Sequence, residues 1–308
     1  MSHPIRARTL AALAAARVPG FHFAGHFFGV KFGRLAPEGA HVSLEGGSHA
    51  TDADGRINAG VVAMLADIAL ASSVRAAIGS DSTRLATVSM HLQFTGAPLR
   101  GELAGEGTFQ GFAEHAAARQ GLARFAIEAG GRVACFGTGA FMPLPPPPGK
   151  TMHPVIREFE AAPALDESML DANEREVLAR ADEAIATADA NRAFVSRFLG
   201  YEAAREGDGA IATMRNGMHV GNRVGHAQGG LLVGLGAASA CSTLPGSWRL
   251  AAISAWFVSP GEGDELTARS TRWHQGRDTA VVRTEIAGAE GRRALEMVSA
   301  HARAGENS

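Results

Sequence analysis

A single acidic residue interrupts a long apolar stretch of this sequence. Asp67 stands between the runs VVAMLA and IALA. Burial of a carboxylate there costs several kcal/mol unless it is paired or hydrogen-bonded. Desolvation would also raise its pKa and make it a stronger base at neutral pH. We interpret Asp67 as a functional carboxylate; the alternative is a structural acid that caps a neighbouring loop.

A second chemically suggestive segment lies far along the chain. Asn222 is followed six positions later by Gln228, Gly229 and Gly230, directly before another apolar run. Two glycines at a helix entry let the backbone approach a ligand closely, and the first N–H groups of a helix have no intrahelical partner. These groups can donate to a negative oxygen, helped by the helix dipole. The alternative is that the glycines only permit a tight turn.

Each half of the chain contains only part of this set of residues. The first half has the acid but not the double glycine, and the second half has the double glycine but not the acid. The first half reads Asn58-Ala59-Gly60 at the helix entry, so the double glycine is missing. The second half reads Leu235-Gly236-Ala237 where the first has Leu65-Ala66-Asp67, so the carboxylate is missing. If Asp67 faces the loop of the second half, the two together supply an acid and a double-glycine helix entry. The opposite combination, Ala237 with Asn58-Ala59-Gly60, supplies neither.

The elements that would position these groups also occur twice. A proline-rich segment at 143–150 ends the first unit, because proline can neither pair within a sheet nor continue a helix. On either side of it, strand-like runs lead into an apolar helix and then further strands, two of which meet at Gly130-Gly131 in the first unit. Both helices are apolar around nearly their whole circumference, which predicts burial on all sides by a surrounding sheet.

This arrangement resembles the hotdog fold, and the helix entry resembles that of the phenylacetyl-CoA-type acyl-CoA thioesterases. That family's pattern is Asn, six positions later His-Gly-Gly, then a helix with Leu-x-Asp; here Gln228 replaces the His. The resemblance implies an α+β protein of two fused hotdog domains, each an antiparallel sheet wrapped around a long central helix. We expect an N-terminal domain at 1–148, linker helices at 149–195 and a C-terminal domain at 196–308.

By this resemblance the chain is an acyl-CoA thioesterase with one working site where its two halves meet. Asp67 is then either the nucleophile or the base that activates water. The resemblance implies catalytic residues Asp67, Thr87, Asn222, Gln228, Gly229 and Gly230, and substrate-binding residues Asn58, Gly60 and His226. Thr87 would position water, although a β-branched residue in a strand needs no special cause. Asn222 and Gln228 would orient either the thioester carbonyl or the loop itself.

Two other functions stay open. A hotdog enoyl-CoA hydratase or dehydratase would need an acid and a His close together in one loop. A catalytically silent acyl-CoA-binding protein would explain the departures from the family pattern. Neither a metal nor a cofactor is expected apart from CoA in the substrate, because the histidines lack metal-ligand spacing. Candidate residues for lining an acyl tunnel are Phe27, Phe28, Met64, Phe94 and Trp256.

Composition narrows the class of partner. Hydrophobic residues make up 46% of the 308 residues, charged residues 19%, and the net charge is −2. This balance predicts two folded cores and disfavours nucleic acid and membrane surfaces as partners. We expect no stretch of about 20 apolar residues that could span a bilayer. Only two cysteines occur, which supports neither a disulfide framework nor a zinc cluster, so a reducing, cytoplasmic location is predicted. The N-terminal stretch is interpreted as a helix and not as a signal peptide. A homodimer of two-domain chains is left open.

Overall fold

The computed structural model describes residues 3–80, 82–114, 118–149, 151–155 and 165–305. His115 lies outside the described residues, as do positions 150 and 156–164 of the predicted linker. The six helices of the described residues are α1 (Pro4–Ala16), α2 (Phe23–Phe27), α3 (Ala59–Ile78), α4 (Ala172–Thr187), α5 (Phe194–Leu199) and α6 (Gly229–Ser242). Short 3-10 turns cover Glu167–Met169 and Ala289–Gly291.

Twelve strands within the described residues form one antiparallel sheet. In the N-terminal half they are β1 (Lys31–Ala36), β2 (Gly39–Glu45), β3 (Arg84–Phe94), β4 (Glu102–Ala113), β5 (Gln120–Ala129) and β6 (Arg132–Leu144). In the C-terminal half they are β7 (Ala203–Glu206), β8 (Gly209–Arg215), β9 (Trp248–Phe257), β10 (Glu265–Gln275), β11 (Thr279–Ala287) and β12 (Arg293–Arg303). The order across the sheet is β1-β2-β4-β5-β6-β3-β9-β12-β11-β10-β8-β7.

The strand order is the same when it is followed inward from either edge. Strands β3 and β9 pair at the centre, where His91 lies opposite Ser254. Helix α3 packs on strands of the N-terminal half and α6 on strands of the C-terminal half, and the two helices contact each other directly. Antiparallel strands thus surround apolar helices, but the two sheets that were predicted, one for each half, are joined into one large sheet. The predicted domain boundaries stay predictions.

Helix α3 begins and ends with recognisable capping groups. The Asn58 side chain accepts from the Gly60 N–H at 2.9 Å, and Gly79 closes the helix in the left-handed region with φ 75°. By length and composition α3 could cross a membrane, which contradicts the expectation that no such stretch exists. Its apolar surface is covered by strands and by α6, so 78% of its most apolar window is buried.

The buried side chains form one continuous core instead of the two expected from chain length. Val61, Leu65 and Leu70 of α3 belong to the same cluster as Leu231 and Leu235 of α6. The reason is the direct contact between the two helices. The halves therefore share their hydrophobic stabilisation.

Candidate active site

Asp67 is buried and held by donors from two different elements. The Thr87 hydroxyl of β3 donates to Oδ1 at 2.9 Å. The Gln228 amide donates from Nε2 to Oδ2 at 2.6 Å. Thr87 belongs to the N-terminal half and Gln228 to the C-terminal half, so the carboxylate lies where the halves meet. Asp67 is 8% exposed, and its burial is compensated by these two hydrogen bonds.

The environment shifts the ionisation of this carboxyl group. Burial raises the pKa of Asp67 to about 6, while the Thr87 hydrogen bond and the positive charge of Arg75 act in the opposite direction. Desolvation dominates because an ionised carboxylate loses more hydration energy than these two groups restore. A carboxyl group with this pKa is mostly ionised at neutral pH and is a stronger base than an exposed aspartate.

Gln228 connects the start of α6 to the carboxylate. Its Oε1 accepts from the Leu231 N–H at 2.9 Å and caps the helix, while its Nε2 donates to Asp67. The backbone N–H can only donate, so the orientation of the amide is determined. A carboxamide serves both partners at once, which an aliphatic side chain could not do.

The two glycines after Gln228 have different surroundings. Gly229 borders the site: a Cβ there would lie 3.3 Å from Asp67 Oδ2, Thr87 Oγ1 and the Phe257 ring. Gly230 lies instead against the backbone of α3, where a Cβ would come within 2.3 Å of the Met64 N. Close approach to a ligand is therefore possible at Gly229, whereas Gly230 permits the crossing of the two helices.

The loop before Gln228 is organised by Asn222. Its Oδ1 accepts from the N–H groups of Val224 at 2.9 Å and His226 at 3.1 Å. Of the two predicted roles for Asn222, holding the loop is the one with contacts in the structure. The His226 ring lies 3.1 Å from Glu262, which is 44% exposed. Asn222 and His226 both line the cavity described next.

A cavity of about 420 Å³ opens beside the carboxylate. Asp67, Thr87, Gln228 and Gly229 all line it, and Gly230 does not. Most of its remaining wall is apolar. The cavity lining that the sequence interpretation missed includes Phe21, His22, Phe32, Arg75, Arg84, Phe141, Arg223 and Phe257. No periodicity marks these residues, because they come from separate elements that only the tertiary fold brings together.

The residues expected to line an acyl tunnel are not part of this cavity wall. Phe27, Phe28 and Met64 are fully buried in the core. Trp256 is 45% exposed, and its ring packs edge-to-face with the His91 ring, with the ring centroids 5.6 Å apart. Phe94 packs against the core from a partly buried position. Phe94 and Trp256 lie on strands, whose facing the sequence does not define, and Phe27, Phe28 and Met64 lie in or at the end of helices that pack inward.

Asn58 and Gly60, predicted to bind substrate, also lie outside this cavity. Asn58 caps α3 and donates to Asp52 Oδ1 at 2.8 Å. Gly60 faces the Tyr201 side chain, whose ring and hydroxyl are 2.7 Å from the position that a Cβ would occupy. Tyr201 is buried and fills the space beside this helix entry. Ala237 is buried too and supplies no ionisable group.

No metal site accompanies these groups in the described part of the chain. No cluster of three or more His, Cys, Asp or Glu side chains with ligand geometry occurs there. Burial lowers the pKa of His22, one of the two histidines among the described cavity-lining residues, to about 4. His22 is therefore neutral over the physiological range.

The C-terminal part of the chain matches a thioesterase family. Residues 220–305 match the acyl-CoA thioesterase N-terminal domain. The matched segment begins in the loop before Gln228 and includes α6 and β9 to β12, but not Asp67 or Thr87. No curated protein matches the chain.

Solved structures are similar over most of the chain. The tesB protein of Mycobacterium avium subs paratuberculosis is 10% identical, with 89% of this chain and 96% of that chain covered and a TM-score of 0.52. A putative oleoyl thioesterase from Lactobacillus plantarum is 10% identical, with 88% and 98% covered and a TM-score of 0.53. At such identities the likeness shows a shared fold.

Proposed function

We propose that this protein is an acyl-CoA thioesterase built from two fused hotdog domains, with one active site per chain. The observation that carries the proposal is the buried Asp67 carboxylate, held by Thr87 and Gln228 from opposite halves at the wall of a largely apolar cavity. The family match of residues 220–305 supports thioester chemistry on the Gln228 side. We place the protein with the phenylacetyl-CoA-type enzymes on the basis of the Asn222 to Gly230 pattern.

Asp67 acts in this proposal as a general base. Both of its oxygens already accept a hydrogen bond, at 2.9 and 2.6 Å. Each oxygen keeps a second lone pair. Proton abstraction from water can use it with both hydrogen bonds in place, whereas direct attack would require the held carboxylate to move to bonding distance of the thioester carbon. The water oxygen bonds to the carbonyl carbon and its proton passes to Asp67. Collapse of the tetrahedral intermediate breaks the C–S bond, and the departing thiolate takes the proton from Asp67.

The start of α6 supplies the electrostatic stabilisation. The developing oxyanion needs donors that are already oriented, and the first N–H groups of a helix have no intrahelical acceptor. Among the described hydrogen bonds, none uses the N–H of Gly229 or Gly230. Gly229 borders the cavity, so its N–H is the principal candidate donor, and the positive end of the helix dipole adds to it.

The expected ligand is a soluble acyl-CoA, and no further cofactor takes part in this mechanism. The apolar cavity wall suits an acyl group. Arg84 and Arg223 line the same cavity and are candidates for contact with CoA phosphates. A cytoplasmic enzyme with no nucleic-acid or membrane partner is consistent with the charge balance of the chain.

The decisive test compares two aspartate substitutions against a panel of acyl-CoAs, with free thiol as the readout. Asp67→Asn should lower kcat by at least about 10²-fold, within the range for loss of a catalytic base. Asp52→Asn is the control, because Asp52 is partly buried, hydrogen-bonded to Asn58 and Ser196, and outside the cavity. The control should retain hydrolysis.

Three results would contradict the proposal. Binding of acyl-CoA without thiol release would indicate a silent binding protein. Hydration of an enoyl-CoA without thiol release would indicate a hydratase. Equal loss of activity in both variants would show that Asp67 has no special role.

A further inference from the structure

We propose that Tyr201 is a positioning residue that holds the first turn of α6, and with it Gln228, against Asp67. The inference rests on the proposed function, since it concerns the geometry of that same site. Tyr201 is the only tyrosine in the chain, and it lies just before β7, outside the cavity wall. It therefore acts through other groups and not on the substrate.

Tyr201 packs against both central helices beside the point where they cross. A Cβ on Gly60 of α3 would lie 2.7 Å from its ring and hydroxyl, and a Cβ on Gly234 of α6 would lie 2.6 Å from its hydroxyl. Both helices carry glycine at the points where the tyrosine touches them. Any larger side chain would displace the ring, so the two glycines and the tyrosine form one packing unit.

The two helices are in direct backbone contact at this crossing, and Tyr201 borders it. At Gly230, α6 lies against the α3 backbone at Ala63 and Met64. At Gly234, a Cβ would lie 2.4 Å from the Gly60 Cα of α3, with the hydroxyl of the buried Tyr201 the next nearest atom at 2.6 Å. Backbone contact therefore sets how closely the helices approach, and the rigid Tyr201 ring packs against both of them beside that contact. Asp67 is on one of these helices, and Gln228 caps the other.

A hydrogen bond extends the packing to the catalytic groups. The Tyr201 hydroxyl donates to the Leu231 carbonyl at 2.5 Å. The N–H of the same Leu231 donates to Gln228 Oε1, and Gln228 Nε2 donates to Asp67. Tyr201 and Gln228 thus hold opposite polar groups of one residue in the first turn of α6. Loosening that turn would lengthen the Gln228–Asp67 hydrogen bond.

The test is Tyr201→Phe, which keeps the ring and removes only the hydroxyl. We expect kcat to fall about tenfold with KM unchanged within about twofold, because misplacement of catalytic groups affects the chemical step. The weaker bond from Gln228 would stabilise the ionised carboxylate less, so the acid limb of the kcat–pH profile should move to higher pH. Ser239→Ala is the control: it removes a different buried hydroxyl from α6, which donates to the Ala210 carbonyl at 3.1 Å and accepts from the Ser270 hydroxyl at 2.8 Å.

Overturning results are clear for each readout. A Tyr201→Phe profile that matches the wild type, or one that matches Ser239→Ala, shows that the hydroxyl only contributes stability. If the wild type hydrolyses no acyl-CoA, the proposed function fails, but the positioning role can still be measured. A ¹³C NMR titration of the Asp67 carboxyl should then give a higher pKa in Tyr201→Phe than in the wild type, and an unchanged pKa would refute the role.

Discussion

Asp67 combines two properties that rarely occur together in an exposed carboxylate: a raised pKa and a fixed orientation. Burial raises the pKa of Asp67 to about 6, and two donors from different halves hold its oxygens. A base must be ionised to accept a proton, so activity should follow the titration of this group. Burial lowers the pKa of His22, on the same cavity wall, to about 4. His22 therefore titrates at a lower pH than Asp67 and is neutral where Asp67 ionises.

We predict that kcat rises with pH through about 6 and levels off above it, because only the ionised Asp67 accepts a proton from water. Measurement of kcat between pH 4.5 and 8 tests this, with those limits chosen to span about 1.5 to 2 units on either side. Thr87→Val should move the rise to higher pH, since it removes a hydrogen bond that favours the ionised form. A flat profile over this range would refute Asp67 as the base.

The same pKa predicts a pH-dependent stability. Folded Asp67 has a pKa of about 6, above the value of about 3.9 in an unfolded chain. Between these values the folded state binds more protons, so ionisation costs the fold up to about 3 kcal/mol as pH rises from about 4 to about 6. Asp67→Asn lacks this titration. In urea denaturation, the free energy of unfolding of Asp67→Asn should therefore increase relative to that of the wild type as the pH rises through this window. A difference between the two proteins that does not change with pH would contradict the prediction.

At the scale of elements, the two glycines of α6 give a matched pair. Gly230→Ala places a methyl group 2.3 Å from the α3 backbone at Met64, and a backbone cannot rotate away. We expect it to lower the free energy of unfolding by about 1–3 kcal/mol or more. Gly229→Ala meets Asp67, Thr87 and Phe257 at 3.3 Å instead. It should leave stability close to wild type, because alanine favours helix, while lowering kcat.

Thermal unfolding and kinetics of the two variants check this prediction. The expected result is a divergence: Gly230→Ala loses melting temperature, and Gly229→Ala loses turnover. If both variants lose stability equally, the two positions do not differ as the helix crossing requires.

The elements around the site were mostly predictable from the sequence, and the exceptions have a physical cause. The apolar run beginning near Gly60 predicted α3, and Gly130-Gly131 predicted the turn between β5 and β6. Strand β4 gave no alternating pattern because glycines occupy inward positions. At Gly107 a Cβ would lie 2.1 Å from the Ala69 carbonyl of α3. The close approach of the helix thus requires the residue that weakens the strand signal.

Site residues were predictable where local pattern and chemistry coincide. Asp67 is conspicuous in an apolar helix, and Gln228 lies at a helix entry, so both could be selected before any coordinates. Tyr201 could not, because its partners Gly60 and Leu231 are distant in the sequence. Gly230 was assigned to ligand approach for the same reason: sequence shows that a residue is small but not what lies against it.

The whole molecule joins two similar halves through one sheet and one core. Strands β3 and β9 pair across the centre, and buried residues of α3 and α6 belong to a single cluster. Each half alone would expose the surface of its central helix that contacts the other. The helices bring Asp67 from one half to Gln228 from the other, so the candidate site exists only in the assembled pair.

The assembled pair should nevertheless contain one site per chain, because the two helix entries differ. The entry at Gln228 faces a cavity and a carboxylate. The entry at Asn58 faces Tyr201, and the counterpart of Asp67 is Ala237, which is buried.

Titration with a non-hydrolysable acyl-CoA thioether should therefore saturate at one equivalent per chain. Ala237→Asp should add no turnover and should destabilise the fold by several kcal/mol, because Ala237 is buried and does not line the described cavity, so the new charge is desolvated. Binding of two equivalents by the wild type, or a gain of turnover in Ala237→Asp, would show that the second entry is also accessible to substrate.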